Sequence, residues 1–131
     1  MIHLDTCVLV DALTGPRRSA ADLRALIEQG ERVSFSTLVL YEWRRGPRRR
    51  EELVAQEALF PAEDAASFGY LEATVAAELY AKVGRPRGRE LDLAIAACAI
   101  RRDAVLWTLN PTDFEDIPGL RILTEPPRLV R

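Results

Sequence analysis

Hydrophobic and polar positions along the chain switch between a two-residue period and a helical one, and the switches divide it into short strands and longer helices. Ile2 and Leu4 flank a polar position, which predicts a first strand. Val8, Leu9, Ala12 and Leu13 then recur at helical spacing, so a helix begins just after Asp5-Thr6. Ser19 followed by Asp22 resembles a capping box with Asp in place of Glu or Gln. Leu23, Leu26 and Ile27 give the next helix its apolar stripe, and Gly30 stops it. Residues 33–36 read as a second strand. Residues 38–45 follow as a helix capped by Ser36 or Thr37, and Gly46-Pro47 breaks it. Residues 48–58 are helical again, and Leu59-Phe60 reads as a short third strand before Pro61. Residues 64–83 read as one long amphipathic helix whose apolar face is Phe68, Leu71, Val75, Leu79 and Val83. Residues 91–100 are apolar nearly all round, which predicts a central, buried helix. Residues 105–108 and 121–123 read as two further strands, and the Pro-rich tail is expected on the surface.

Strands alternating with helices predict an α/β fold, a short, mostly parallel sheet flanked by helices in a three-layer sandwich. With 131 residues and no internal repeat or linker, residues 1–131 make one domain. A composition of 48% hydrophobic and 29% charged residues excludes a disordered chain, and no apolar run is long enough to span a bilayer. No secretory signal is evident, and the two cysteines, Cys7 and Cys98, sit among apolar neighbours. Reduced, buried thiols in a cytoplasmic protein with no membrane partner are therefore expected. The only histidine is His3, so a zinc site of Cys and His is excluded and a histidine general base is not expected.

Four acids stand at element ends. Asp5 follows the first strand, Glu42 lies on the helix after the second, Asp92 opens the buried helix, and Asp113 follows the strand ending at Thr108. In open α/β sheets ligands bind beyond the carboxyl ends of the strands. Carboxylates gathered there repel one another unless something neutralises them, and the natural neutraliser is a hard divalent cation, Mg²⁺ or Mn²⁺. Position alone leaves a plainer reading open, since Asp is a common helix cap and the chain has 20 acids to place.

The runs LDTCVL, TLVLYEW, LDLAIAACA and LWTLNPTDFEDIPGL, in that order, resemble the PIN-domain family across nearly the whole chain. The resemblance is greatest to its VapC-type toxins, the ribonuclease halves of toxin–antitoxin pairs. It implies a PIN-like fold and a metal-dependent endoribonuclease that hydrolyses RNA phosphodiesters with metal-activated water. It places the acidic, metal-holding site on Asp5, Glu42, Asp92 and Asp113, with Thr6 and Asn110 as supporting polar residues. It also implies Mg²⁺ (or Mn²⁺) as cofactor, a homodimer, and a cognate VapB-type antitoxin as partner. Cys7 departs from the family pattern, standing where Asn or Ser is common, next to the ligands. Glu90 competes with Asp92, and Glu115 and Asp116 compete with Asp113.

Net charge is −2, yet the cations are unevenly placed and all but Lys82 are arginines. Arg44, Arg45, Arg48, Arg49 and Arg50 form one group, and Arg87 and Arg89 lie in a second, next to Arg85. Guanidinium forks suit phosphates, so these residues are candidate RNA contacts; a solvated helix face is the other reading. Two other functions stay open: a catalytically silent PIN-like module that binds RNA or protein, and a metal-dependent DNA nuclease or phosphatase.

Overall fold

The computed structural model describes residues 1–16 and 19–124, so the tail beyond Thr124 lies outside the described residues. Among these, four parallel strands form one sheet: β1 (Ile2–Leu4), β2 (Val33–Ser34), β3 (Val105–Trp107) and β4 (Arg121–Leu123), in the order β2-β1-β3-β4. Six helices flank it: α1 (Thr6–Leu13), α2 (Ala20–Glu28), α3 (Thr37–Arg45), α4 (Arg50–Leu59), α5 (Tyr70–Lys82) and α6 (Glu90–Arg101). Parallel neighbours cannot be joined by a tight hairpin, and the intervening helices supply the crossovers. This is the α/β sandwich that the sequence pattern predicts.

β1 is paired on both sides, and all three of its residues are buried. His3 is among them, and burial, with the nearby Arg102, lowers its pKa to about 4. It is therefore neutral at physiological pH. In α6 every residue from Leu93 to Ala99 is buried, which is why its apolar positions run all round the helix. Both indoles, Trp43 and Trp107, are core residues.

Local sequence accounts for most helix ends. Asp5 and Ser36 are the N-caps of α1 and α3, and the Ser36 hydroxyl accepts from the Val39 amide at 3.3 Å. α2 ends where Gly30 turns to φ +88°, with Glu31 N–H donating to Leu26 O and Gly30 N–H to Ile27 O, both at 3.0 Å. That pair of bonds satisfies the last carbonyls of the helix.

Three expectations are corrected. Ser19 makes no side-chain cap; instead its backbone N–H donates to the Asp11 carboxylate at 2.7 Å, so an acid from α1 replaces the expected local partner. Leu59-Phe60 is not a strand: Leu59 closes α4, and Phe60 turns inward to meet Phe35 edge-on at 5.5 Å. Residues 64–83 are not one helix. A short 3₁₀ turn (Ala62–Asp64) leads into an extended segment in which Ala66 pairs beside β2, its N–H on Phe35 O (2.8 Å) and its carbonyl taking Thr37 N–H (2.9 Å). α5 begins only at Tyr70, where the Glu72 carboxylate accepts from Gly69 N–H at 3.0 Å. Its buried residues are Glu72 and Leu79, continued by Val83 just past its end, with Val75 and Ala76 packed alongside, while Leu71 faces solvent.

Gly30→Ala tests the α2 terminus. A Cβ there meets nothing within 4 Å, so the penalty is the positive φ alone. We expect a loss of about 1 kcal/mol in urea unfolding at an unchanged m-value; no loss would mean that the turn relaxes freely.

Candidate active site

The site is built where β1 runs out. Parallel pairing sets Leu4 opposite Trp107, and Asp5 N–H continues the ladder to Trp107 O at 2.9 Å. The next residue of each chain segment is polar: Asp5 on one side and Thr108 on the other. The Thr108 hydroxyl donates to Asp5 Oδ2 at 2.8 Å, and Asp5 Oδ1 accepts from Thr6 N–H at 2.9 Å. Asp5 is thus a helix cap and a rigidly held carboxylate at once, and both residues are buried.

Thr6 carries the same logic to α3. Its hydroxyl donates to Glu42 Oε1 at 2.5 Å, while Arg45 approaches Glu42 Oε2 at 3.6 Å. Cys7 also belongs to this network rather than to the apolar surroundings its neighbours suggest. Its sulfur lies 3.3 Å from Asp5 Oδ2 and accepts from Leu109 N–H at 3.3 Å. Burial and the Asp5 charge push the thiol up to about 11, so it stays neutral and adds no charge to the site.

Asp92 stands three residues into α6, and its pKa is raised from 3.8 to about 6. Burial is the main cause, followed by the charges of Asp5, Asp113 and Glu42; Arg89 opposes them. The four acids therefore share one electrostatic field. They are not drawn into a finished chelate: among the described residues no group of three or more His, Cys, Asp or Glu side chains is placed to hold a metal ion. Asp113, on the short 3₁₀ turn Pro111–Asp113, is exposed at the rim.

Residues 2–120 match the family model of the PIN domain. The chain belongs to the PIN-domain family. It is 34% identical to Ribonuclease VapC19 of Mycobacterium tuberculosis, with 90% of this chain and 95% of that protein covered. Its fold is similar to VapBC2 from Rickettsia felis, solved bound to a promoter DNA fragment (TM-score 0.75, 24% identity, 94% of this chain and 98% of that one). It is similar also to FitAcB from Neisseria gonorrhoeae (TM-score 0.72, 21% identity, 98% of this chain and 100% of that one).

The other residues singled out by sequence separate clearly in this PIN domain. Glu90 is exposed and is not among the charges acting most on Asp92. Asp116 is held by the Arg89 guanidinium through bonds of 2.6 and 2.9 Å. Asn110 contributes through its backbone, its N–H donating to Thr108 Oγ1 at 3.0 Å, and its side chain caps nothing. Thr108 is the polar residue that sequence reasoning left among the strand positions. Its signal was its place one step past the last apolar residue of β3.

Two expected RNA contacts are committed to the fold itself. Arg48 lies over the Trp43 ring at 4.4 Å and donates from Nε to Trp43 O at 2.9 Å, closing the end of α3. Arg89 bridges the start of α6 to the segment after Asp113. Arg44, Arg45 and Arg49 pair with Glu57, Glu42 and Glu52 at 3.4–3.6 Å and remain largely exposed. Arg50 and Arg87 are exposed.

The raised Asp92 pKa has a defined sign. Between about pH 4 and 6 the folded chain keeps a proton that the unfolded chain has already lost. The stability this supplies is complete below the unfolded pKa, falls through that window and is gone above it. Asp92→Asn should therefore melt a few degrees above wild type at pH 8 without divalent ions, with the gap closing near pH 4. Equal melting at pH 8 would remove the repulsion from the account.

Proposed function

We propose that this chain is a metal-dependent endoribonuclease, the toxin half of a VapBC-type pair, acting on RNA through Asp5, Glu42, Asp92 and Asp113. The observation that carries the reading is the unbalanced charge around Asp92, where three further carboxylates outweigh the nearby guanidinium. The identity to Ribonuclease VapC19 supports the reaction class, and the VapBC assemblies among its structural relatives support an antitoxin partner.

The donor set fits the expected ion. All four candidates are hard carboxylate oxygens, and the one soft atom the structure sets against them, the Cys7 sulfur beside Asp5, stays a neutral thiol; the set suits Mg²⁺ or Mn²⁺. Their separation fits as well, because Mg²⁺ is commonly held by one or two carboxylates with water and substrate phosphate completing its shell. When bound, such an ion polarises a phosphodiester and lowers the pKa of its water. The chain's own part is positional. Thr108 and the Thr6 amide hold both oxygens of Asp5, and the Thr6 hydroxyl holds Glu42, so neither acid must be ordered when the ion arrives.

Phosphate binding falls to the arginines that the fold leaves exposed: Arg44, Arg45, Arg49, Arg50 and Arg87. Exposed ion pairs are worth only about 0–1 kcal/mol, so Arg44, Arg45 and Arg49 can exchange their carboxylates for phosphates. Apolar side chains exposed on α4 (Val54, Leu59) and α5 (Tyr70, Leu71, Tyr80) offer surfaces for a homodimer and for the antitoxin.

Expression without an antitoxin tests the whole reading. Wild type should arrest growth and cleave RNA with Mg²⁺ or Mn²⁺; Asp5→Asn should fold, bind RNA and do neither. Wild type that binds RNA but cuts none of a broad panel would leave a silent binding module. Replacing Arg44, Arg50 and Arg87 by Gln should weaken RNA binding and flatten its salt dependence by about 0.7 in slope per lost single-strand phosphate contact. An unchanged slope would return these residues to a solvated surface.

A further inference from the structure

Among the described residues, Arg89 is the guanidinium that links the segments carrying Asp92 and Asp113. It is the N-terminal flanking residue of α6, three positions before Asp92, and its carbonyl accepts from Leu93 N–H at 2.9 Å. Its side chain crosses to the segment beyond the 3₁₀ turn. Nη2 donates to Asp116 Oδ1 at 2.6 Å and Nη1 to Asp116 Oδ2 at 2.9 Å, a two-pronged fork. Nη2 also donates to Asp113 O at 3.0 Å, and Nη1 reaches Arg85 O at 3.4 Å. The guanidinium thus ties the backbone of Asp113, the loop before α6 and the Asp116 carboxylate to the start of the helix that carries Asp92. Its side chain is 20% exposed, less than that of any arginine paired on α3 or α4.

We propose that the Arg89–Asp116 fork is the positioning device of the site, fixing the segments of Asp92 and Asp113 relative to one another before any cation arrives. Three features favour this over a phosphate contact. A planar fork engaged bidentately has spent its best geometry for an incoming phosphate. The bond to Asp113 O acts on the backbone of a proposed ligand and would be wasted in a residue that only binds RNA. And the charge of Arg89 acts on Asp92 and Asp113 together, attracting both where they repel each other. Asp116 is then a partner of Arg89 and not a fifth ligand. Arg→Lys keeps the charge but cannot bridge two carboxylate oxygens and a carbonyl in one plane.

The inference rests on the metal-dependent reading, so its test carries a readout that is independent of that reading. Full-length wild type, Asp116→Asn, Arg89→Lys and Arg89→Gln would be compared for Mn²⁺ affinity by calorimetry, for RNA cleavage, and for amide hydrogen exchange over residues 111–117. We expect every variant to keep the wild-type circular dichroism spectrum and to exchange at least tenfold faster in that segment. Mn²⁺ affinity and kcat should each fall about tenfold in Asp116→Asn, with KM for RNA changed less than twofold. Arg89→Lys should fall between wild type and Arg89→Gln. Unaltered exchange in Asp116→Asn overturns the proposal, as does unaltered Mn²⁺ affinity in both Asp116→Asn and Arg89→Gln. A raised KM and flattened salt dependence in Arg89→Gln alone would make Arg89 a phosphate contact instead. If wild type binds no Mn²⁺, the metal-dependent reading fails by itself, and the exchange comparison still decides whether the fork orders the turn.

Discussion

Parallel pairing of β1 with β3 brings Asp5 and Thr108 side by side, and the rest of the site depends on that adjacency. Neither residue has freedom to be elsewhere. Asp5 N–H is the last bond of the ladder, and its carbonyl starts α1 by accepting from Val8 and Leu9 N–H. A carboxylate placed this way is stabilised as a helix cap in the absence of any ligand. The fold can therefore hold a buried negative charge at the sheet's edge at little cost. Thr6, one residue on, passes the constraint to α3 through Glu42.

The remaining acids are less comfortable, and that discomfort is chemically useful. Asp92 lies in the first turn of α6, next to the buried apolar run from Leu93 to Ala99, so it is partly desolvated and meets the charges of Asp5, Glu42 and Asp113. Charged groups left in mutual repulsion lower stability, and proteins tolerate this chiefly where a ligand later removes it. Two arginines moderate it, Arg45 through its 3.6 Å approach to Glu42 and Arg89 through its charge acting on Asp92 and Asp113. Other acids play the opposite part. Glu52 and Glu72 are buried but accept from the N–H groups that open α4 and α5, and Glu72 also takes Arg102 at 3.1 Å. Burial alone does not separate the two kinds; the presence of a donor does.

The arginine groups divide by the same criterion. In sequence they form runs of one chemistry. In the structure Arg48 and Arg89 have their donors taken by backbone carbonyls and a fork partner, whereas Arg50 and Arg87 stand at the surface. A guanidinium that closes a helix end stabilises the scaffold, and only one with donors to spare can serve a phosphate.

What the sequence determined by itself was whatever is written locally. Hydrophobic pattern set β1, α1, α2, α3, α6, β3 and β4, because the apolar positions of each pack into the same core, on one face for α1, α2 and α3 and nearly all round for β1 and α6. Gly30 and Ser36 marked helix ends, because a left-handed turn and a cap hydroxyl act within a few residues. Asp5, Asp92 and Asp113 stood out in the sequence because each lies close to a change of period, and Glu42 because it falls in the run TLVLYEW on the helix after the second strand. Tertiary structure decided the rest. Ala66 became extended because Phe35 and Thr37 offered it a ladder, so one apparent helix was split by a partner about thirty residues away. Ser19 lost its cap to Asp11 of another helix. Asp116 was set apart from Asp113, and Arg89 from Arg87, by a single bidentate bond across 27 residues. Spacing along a chain tells which side chains share a face. Which of two like side chains finds its partner is settled only when distant segments meet, because hydrogen bonds and ion pairs are decided over a few ångströms.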